Sequence, residues 1–334
     1  MDIVNLSELD PKWCWLRDEF KQSSHQWHHF SSAESSLPNW LPKKQSIERV
    51  IKAFRAVHHA KQQPSLLVSH GPRPAYYGAR MARLLQPSLP HLVYSFNFTN
   101  LPTGYQHKAM AKAYQQPDRF VVYSNLEKKL YADYFSIAPE RIDMLHWSVH
   151  APSVPCDEAQ IEQGDYICAL GSQGRDYETL FAAMRALPHI RLVVVATADS
   201  VKQLSVPENV TVHTHIPLAH AHNILTHSRF MVVPLRDSQV PCGHVTIVSG
   251  MFFQKAMLVT NSEGVHDYIQ DRATGLFFAP KETRDLAEKI QELWDDRTLT
   301  QQLATTGYAF AQTHCSEKNI VSYFSNYLIQ HQPL

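Results

Sequence analysis

The sequence lacks apolar runs that approach the roughly 20 residues needed to cross a bilayer, so no transmembrane helix is expected. Its first residues read MDIVNLSELD and do not combine a basic start with an apolar core, so no signal peptide is expected. The five cysteines form no C-x-x-C pair, which favours free thiols in a reducing compartment. We therefore expect a cytoplasmic protein.

Two further absences exclude classes of function. No G-x-G-x-x-G follows an apolar strand pattern, which argues against a nicotinamide-dependent dehydrogenase. No basic run with interleaved aromatic residues is present and the formal net charge is zero, which argues against a nucleic-acid partner.

The 20 histidines raise the question of a metal. His213 and His215 share one face of a predicted strand, but no cysteine or carboxylate set near them completes a tetrahedral site. The neighbouring pairs His28–His29 and His58–His59 are expected to point in different directions. All are interpreted as surface histidines, and neither a metal nor a cofactor is expected.

Charge is distributed unevenly along the chain. Residues 1–150 contain 18 Lys and Arg against 12 Asp and Glu, a net charge of +6, and residues 151–334 contain 13 against 19, a net charge of −6. One interpretation is that the two halves attract each other. The other is that the basic half docks on an anionic acceptor or on anionic lipid, as a peripheral protein of the inner membrane face.

Apolar strand patterns alternate with helical patterns in both halves, which favours an α/β protein with parallel, doubly wound sheets. One helix is predicted from Ile47 to Lys61, with Ser46 as its cap. Ser124 and Glu127 are spaced as a capping box for another helix. The apolar face of the first helix consists of Ile47, Val50, Ile51, Phe54 and Val57. The predicted strands closest to candidate site residues are Ser65–Ser69, His91–Phe98, Tyr166–Leu170, Met231–Pro234 and Ala256–Thr260.

A polar, proline-containing stretch divides the two halves. We expect an N-terminal domain over residues 1–150, a linker over 151–165 and a C-terminal domain over 166–315. The final segment, about residues 316–334, is a candidate to pack back on the N-terminal domain. Ligands of doubly wound sheets bind beyond the carboxyl ends of the strands, so two such domains facing each other would leave a cleft there.

The most informative stretch runs from Val232 to Phe278. A buried strand ends in a polar loop, Gly243 opens a helix that Lys255 closes, and a second strand leads to a D-x-x-T-G turn at residues 271–275. A glycine turn before a helix is suited to bind anions, because free backbone N–H groups and the positive end of the helix dipole point at one spot.

Three residues at the predicted helix start are candidates to hold such an anion. The N–H groups of Val245 and Thr246 would face it, and the Thr246 hydroxyl could add a hydrogen bond. His244 would contribute positive charge if it is protonated. The alternative is a tight strand-to-helix turn without a ligand.

The order of these parts resembles the donor-binding region of GT-B glycosyltransferases, in the large retaining group 1, or family 4-like, set of enzymes. The resemblance implies two Rossmann-like domains facing an interdomain cleft. It implies transfer of a sugar from a nucleotide-diphospho-sugar to a glycan or lipid-linked acceptor, as in polysaccharide biosynthesis. It also implies retention of the anomeric configuration without a metal or cofactor.

In this family a strand ends in Gly-Arg, and a Lys some five residues on helps to hold the donor diphosphate. Here the strand YICAL is followed by Gly171 and Ser172, and Arg175 falls where the family lysine would. The resemblance implies that Arg175 grips phosphate oxygens, with Gly171 and Ser172 beside the donor. The alternative is a surface arginine paired with Asp176 or Glu178.

The family also carries E-x7-E across the glycine turn, and its second Glu usually binds the donor ribose. Pro241 and Ser249 occupy these two positions, so both carboxylates are missing. Ser249 can offer one hydroxyl to the donor but cannot accept two hydrogen bonds as a carboxylate does. This departure favours a second interpretation, a catalytically inactive glycosyltransferase-like partner or scaffold protein. A sugar-nucleotide epimerase of the same fold is a further alternative.

Three residues of the first half are candidates for the acceptor side. The strand His91–Phe98 lines up with a family strand that often ends in a histidine near the transferred sugar, and Asn97 stands there. Asn97 can bind a sugar hydroxyl but cannot act as a general base. His70 is a candidate for acceptor binding or proton handling, with a structural turn histidine as the alternative. Arg73 is a candidate contact for an anionic acceptor.

Overall fold

The computed structural model describes residues 1–10, 12, 25–35, 37–149, 159–236 and 240–331. The helix predicted around Trp13 to Gln22, and residues 151–158 of the predicted linker, lie outside the described residues. The chain divides into two compact units, one formed by Met1–Leu145 with Ile320–Leu334 and the other by His146–Asn319. Each unit is built on one six-stranded sheet.

The sheet of the first unit is parallel throughout and buried at its centre. Helices cover its faces, so strands such as SLLVSH are apolar along most of their length rather than alternating. The strands are β1 (Asp2–Ser7), β2 (Trp27–Ser31), β3 (Ser65–His70), β4 (His91–Tyr94), β5 (Arg119–Val122) and β6 (Ile142–Met144). Their order in the sheet is β2-β1-β3-β4-β5-β6, so the direction of winding reverses between β1 and β3.

Among the described residues, the helices that follow strands of this unit are α1 (Lys44–Ala60), α2 (Pro72–Leu85), α3 (Gly104–Ala113) and α4 (Asn125–Phe135). The predicted capping box of α4 is confirmed, because the Ser124 hydroxyl accepts a hydrogen bond from the Glu127 amide at 3.1 Å. The strand predicted from His91 to Phe98 ends earlier, at Tyr94, because Ser95 adopts a φ of 58° that leaves the extended region.

The prediction for the buried face of α1 is wrong in part. Ile47, Val50 and Phe54 are 37%, 40% and 45% exposed. Small residues let the helix lie close to the sheet, so the face that packs on β1 is made mainly of alanine. This face consists of Ala53, Ala56, Val57 and Ala60. The predicted cap is also wrong, since α1 begins at Lys44, two residues before Ser46.

The sheet of the second unit is again parallel and fully covered. Its strands are β7 (Ile167–Leu170), β8 (Leu192–Val195), β9 (Val210–His213), β10 (Phe230–Val233), β11 (Ala256–Thr260) and β12 (Leu276–Phe278). Their order is β12-β11-β10-β7-β8-β9, which is the doubly wound Rossmann order. The winding reverses between β7 and β10, and sheets of this kind bind ligands beyond the carboxyl ends of the strands at that reversal.

The helices of the second unit are α5 (Tyr177–Arg185), α6 (Ala198–Val201), α7 (Leu218–His227), α8 (His244–Phe252), α9 (Thr283–Asp295) and α10 (Arg297–His314). The last helix, α11 (Glu317–Gln330), carries the chain back to the first unit. Its Ile320 and Phe324 join the core of that unit with Ile3, Leu66 and Val68. Burial of these apolar side chains holds the final segment against the first sheet.

Candidate functional site

The loops that follow β7 and β10 are bonded to each other at the reversal point of the second sheet. The Asp176 amide donates to the Pro234 carbonyl at 2.9 Å, and the Arg236 amide donates to the Gly174 carbonyl at 2.8 Å. These backbone bonds fix the loop that carries Arg175. The sheet therefore presents this arginine at the position where ligands of doubly wound folds bind.

The Arg175 side chain is only 5% exposed and uses all three of its nitrogen atoms. Nη2 donates to the Thr246 hydroxyl at 2.7 Å, Nη1 to the Gln173 carbonyl at 2.9 Å, and Nε to the Leu170 carbonyl at 3.2 Å. Burial lowers the pKa of the guanidinium, which still stays charged at neutral pH. A fixed positive charge therefore lies beside the first turn of α8.

Arg175 is not the ion-paired surface arginine of the alternative interpretation, because it is buried. Within the described residues, Arg175 makes no ion pair with Asp176 or Glu178. Asp176 instead caps α5, where its carboxylate accepts from the Thr179 amide at 3.2 Å and the Thr179 hydroxyl at 2.7 Å. The charge of Arg175 is thus left without a carboxylate partner in this part of the chain.

Gly171 makes room for Arg175. Its φ is +104°, and a Cβ built on it would lie 2.6 Å from Nη2 of Arg175. The Ser172 hydroxyl accepts a hydrogen bond from the Thr197 amide at 2.7 Å, and its place beside the donor stays a prediction. Ser172 therefore ties the loop after β7 to the loop after β8, and Gly171 gives the guanidinium its space.

The start of α8 has the features of an anion-binding turn. Gly243 caps the helix with a φ of +94°, and a Cβ there would lie 3.0 Å from a methyl group of Leu235. The first intrahelical bond is donated by the Ile247 amide to the Gly243 carbonyl at 2.9 Å. The amides of Val245 and Thr246 precede that bond and lie in the turn that leaves N–H groups available to a ligand.

His244 has a structural place in this turn, and the expectation that it adds positive charge is not supported. Its ring is buried, stacks on Tyr268 with centroids 4.8 Å apart, and donates from Nε2 to the Gly264 carbonyl at 2.8 Å. Burial lowers its pKa to about 4, so the imidazole is neutral at neutral pH. His244 fixes the turn through packing and one hydrogen bond.

The two positions of the missing carboxylates have different surroundings. Pro241 packs closely on Gly264, because a Cβ built on Gly264 would lie 2.4 Å from the Cβ of Pro241. Ser249 is half-buried and follows Thr246 by three residues, which places both hydroxyls on one face of α8. Ser249 can therefore act with Thr246 on one ligand, whereas Pro241 shapes the turn.

The close contact of Gly174 with Cys242 was not predicted from the sequence. Gly174 has a φ of +66°, and a Cβ on it would lie 2.4 Å from the Cys242 sulfur. The contact holds the loop after β7 against the residue before Gly243. The second glycine of the Gly-Ser-Gln-Gly run could have indicated this contact in the sequence. Glycine is favoured where a loop approaches another chain segment closely.

The acceptor-side candidates come together at the carboxyl edge of the first sheet. His70 ends β3 opposite Tyr94 of β4, and the two rings lie 5.2 Å apart. Arg73 is exposed in the first turn of α2. Asn97 is exposed three residues after β4, and its Oδ1 accepts from the Ser95 hydroxyl at 3.2 Å. His70 and Asn97 thus follow neighbouring strands at the same edge of the sheet, and Arg73 and Asn97 are exposed to solvent there.

The environment of His70 favours binding over general-base chemistry. Burial, with His29 adding to it, lowers the pKa of His70 to about 4. A base of that pKa abstracts protons poorly at neutral pH, but the neutral ring can still form a hydrogen bond. The sequence pattern indicated a surface position for His29 and did not single out Ser7, yet Nε2 of His29 and Oγ of Ser7 lie 2.9 Å apart. They join this edge only because β1 lies between β2 and β3 in the sheet.

The second unit, with this buried arginine and glycine turn, contains the region that matches a known family. The family model of the glycosyl transferases group 1 matches residues 166–296. Residues 166–296 are thus similar to the group 1 glycosyltransferases. No curated protein matches the sequence.

The chain also shares its fold with solved structures over nearly its whole length. Sucrose-phosphate synthase from Thermosynechococcus elongatus is 16% identical with a TM-score of 0.78, and 99% of this chain and 98% of that chain are covered. Anabaena HepE in complex with UDP is 14% identical with a TM-score of 0.77, with coverage of 99% and 100%. The lipopolysaccharide outer core galactosyltransferase WaaB is 12% identical with a TM-score of 0.69, with coverage of 99% and 100%. The expected GT-B fold is confirmed.

Proposed function

We propose that this protein is a glycosyltransferase that moves a sugar from a nucleotide-diphospho-sugar to a glycan or lipid-linked acceptor, with retention and without a metal. The observation that carries the donor side is the 2.7 Å hydrogen bond from Arg175 to the Thr246 hydroxyl. A diphosphate at this point would meet one guanidinium and the amides of a helix start. HepE has been solved with UDP and with UDP-glucose, which supports UDP-sugars as the first donors to test.

The same residues supply the chemistry that sugar transfer needs at the leaving group. Negative charge builds up on the diphosphate as the sugar departs, and fixed donors that already point there stabilise it. Arg175 and the amides of Val245 and Thr246 would provide that stabilisation. Burial holds His244 and His70 neutral, so neither is suited to pass protons near neutral pH. Activity is accordingly proposed to persist after treatment with a chelator.

The donor assignment is tested with a panel of nucleotide-sugars. Calorimetry should show binding of one member of the panel, and slow hydrolysis of that donor should release its nucleoside diphosphate. The anomeric configuration of the product, read by nuclear magnetic resonance, tests retention. Absence of both binding and turnover across UDP-, GDP-, ADP- and TDP-sugars would overturn the proposal.

The acceptor is proposed to meet His70, Arg73 and Asn97 at the edge of the first sheet. Asn97 and neutral His70 offer hydrogen bonds to sugar hydroxyls, and exposed Arg73 offers a charge to a phosphate or uronate group. An Arg73→Ala variant should lose rate with an anionic acceptor and keep its rate with a neutral one. Equal losses with both acceptors would argue against a charge contact at Arg73.

A membrane surface is proposed as the place where this enzyme meets a lipid-linked acceptor. Among the described residues, no helix is both long and apolar enough to span a bilayer. Ile47, Val50 and Phe54 instead form an exposed apolar stripe along α1, and Trp40 before the helix is 78% exposed. The net charge of +6 over residues 1–150 complements anionic lipid.

Liposome flotation tests this surface. Anionic vesicles should bind the protein in a salt-sensitive way, and Phe54→Ser should weaken that binding. Leu218→Ser removes an equally apolar side chain that is 71% exposed in the second unit, and it should leave flotation unchanged. Equal binding to neutral and anionic vesicles would overturn the proposal of an anionic membrane surface.

A second candidate is an inactive partner or scaffold protein, and the residues at positions 241 and 249 favour it. Neither Pro241 nor Ser249 supplies the carboxylate that binds ribose hydroxyls in the family. A Ser249→Glu substitution separates the candidates. A rise in donor affinity would show that Ser249 faces the donor, and an unchanged affinity would show that it does not. Product analysis without an added acceptor distinguishes an epimerase, which would convert the donor itself.

A further inference from the structure

We propose that Asp2, His28 and His59 form a binding site for a divalent transition metal, zinc in the first place, on the first unit. The three side chains come from β1, β2 and α1, and their potential ligand atoms all lie within 4.8 Å of one another. Two imidazoles and one carboxylate are a common protein ligand set for zinc and related metals. This site is independent of the donor and acceptor sites proposed above.

The distances among the ligand atoms suit a single small cation. Oδ2 of Asp2 lies 2.9 Å from Nε2 of His28 and 4.0 Å from Nε2 of His59. A tetrahedral zinc ion with bonds of about 2.0–2.1 Å has ligand atoms about 3.3 Å apart. The two observed separations lie on either side of that value. Small side-chain rotations would therefore bring both nitrogens and the oxygen to bonding distance.

His59 supplies the second reason for a cation at this point. Its Nε2 is buried and has no hydrogen-bond partner among the residues that the structure describes. Its ring centroid lies 4.0 Å from that of His28, so two imidazoles crowd against one carboxylate. A metal would give Nε2 of His59 a partner and would replace the hydrogen bond between Nε2 of His28 and Oδ2 of Asp2. His59 also lies in the last turn of α1, where the negative end of the helix dipole favours a cation.

The residues around Asp2, His28 and His59 also suit a metal site. The Gln63 side chain donates to Oδ2 of Asp2, an outer contact that orients the carboxylate. The side chains of His28 and His59 are each 28% exposed and that of Asp2 is 12% exposed, so the cluster lies close to the protein surface. Three protein ligands leave one tetrahedral position for water.

The position of the cluster separates it from sugar transfer. Asp2 begins β1 and His28 is the second residue of β2, so the cluster lies at the amino edge of the first sheet. The acceptor-side candidates His70 and Asn97 follow the carboxyl ends of β3 and β4. The metal would thus join β1, β2 and α1 and stabilise the fold of the first unit, without touching substrate.

Cobalt and zinc titrations test the site on the full chain after chelator treatment. One equivalent of Co²⁺ should give the visible absorption of a four-coordinate ion, and Zn²⁺ should displace it. His59→Ala and Asp2→Asn should each weaken Co²⁺ binding by at least about 100-fold. Zinc should raise the melting temperature of the wild type and leave that of His59→Ala unchanged.

His58→Ala is the matched control. His58 is the neighbouring residue on the same helix, it is exposed, and its ring stacks on Phe54 rather than on the cluster. Its loss should leave Co²⁺ binding unchanged, and His59→Gln should behave as His59→Ala does. The proposal is overturned if the wild type gives no four-coordinate spectrum, or if His58→Ala weakens binding as much as His59→Ala. Neither readout depends on sugar transfer, so failure here is distinct from failure of the proposed function.

Discussion

The guanidinium of Arg175 and the hydroxyl of Thr246 lie 2.7 Å apart, although 71 residues separate them in the sequence. They follow β7 and β10, which are neighbours in the sheet but not in the chain. The bond places a fixed cation against the first turn of α8, where free amides also point. An anion at this place would therefore be bound by two independent kinds of donor.

Replacement of Arg175 by Ala should weaken UDP binding by about 10- to 100-fold, because a hydrogen bond to a charged group contributes about 1.5–3 kcal/mol. Calorimetric titration with UDP measures the effect, and circular dichroism checks that the variant is folded. Arg284→Ala is the control, since it removes the same charge from a side chain that is 91% exposed. Equal losses in the two variants would mean that Arg175 acts only through net charge.

The contribution of the bond itself is measured through Thr246. Thr246→Val keeps the shape of the side chain but leaves Nη2 of the buried Arg175 without this acceptor, so we expect a loss of about 1–3 kcal/mol in the free energy of unfolding. Thr246→Ser retains the hydroxyl and should lose much less. In urea unfolding, the Arg175→Ala and Thr246→Val effects should be non-additive by about 0.5 kcal/mol or more, as expected for contacting residues. Strict additivity would contradict the bond.

Sequence patterns predicted the parts of this site that depend on strand order. The alternation of strands and helices, with a glycine turn after one buried strand and an arginine after another, was sufficient to predict doubly wound sheets. In such sheets the carboxyl ends of the central strands meet, so Arg175 and Thr246 were expected near one ligand. The hydrogen bond between them could not be predicted, because it depends on the room that Gly171 leaves for the guanidinium.

Features that depend on packing were predicted less well. The larger apolar residues of α1 were expected to face the core, but alanines do so and leave Ile47 and Phe54 in solvent. Hydrophobicity alone does not show how closely a helix approaches a sheet. His28 and His59 were interpreted as surface residues because the two histidines of each neighbouring pair were expected to point in different directions. Their approach to Asp2 requires three elements to pack together.

Glu127 should give the stability of the protein a measurable dependence on pH. Burial raises its pKa to about 7, although the Tyr123 amide and the Tyr131 hydroxyl donate to the carboxylate. The folded state therefore holds this proton more tightly than the unfolded state, in which the pKa is 4.5. The stabilisation is fully present below pH 4.5, falls as the pH rises toward 7, and is absent above it.

The test for Glu127 compares urea unfolding of the wild type and Glu127→Gln at pH 5 and pH 8. From pH 5 to pH 8, the free energy of unfolding of the wild type should fall by up to about 3 kcal/mol more than that of the variant. One pKa unit corresponds to about 1.4 kcal/mol. The comparison between the proteins cancels the titration of other groups. Parallel pH profiles would show that Glu127 does not titrate in this range.

The space that Gly171 leaves for Arg175 can be tested by substitution of the glycine, and Gly164 offers a matched control. Gly171→Ala introduces a Cβ 2.6 Å from Nη2 of Arg175 at a φ of +104°, so it should both strain the backbone and displace the guanidinium. Gly164→Ala introduces comparable strain at a φ of +79°, with no heavy atom within 4 Å of the new Cβ. Strain of this kind costs about 1–2 kcal/mol in each variant.

Gly171→Ala should lower the free energy of unfolding by more than this strain alone, and it should also weaken UDP binding. Gly164→Ala should do neither, because its methyl group does not disturb the donor site. Urea unfolding measures the stability of both variants, and calorimetry measures their affinity for UDP. An affinity loss shared by Gly164→Ala would mean that backbone strain anywhere in the second unit is sufficient. Normal affinity in a folded Gly171→Ala would mean that the donor does not depend on where the guanidinium of Arg175 lies.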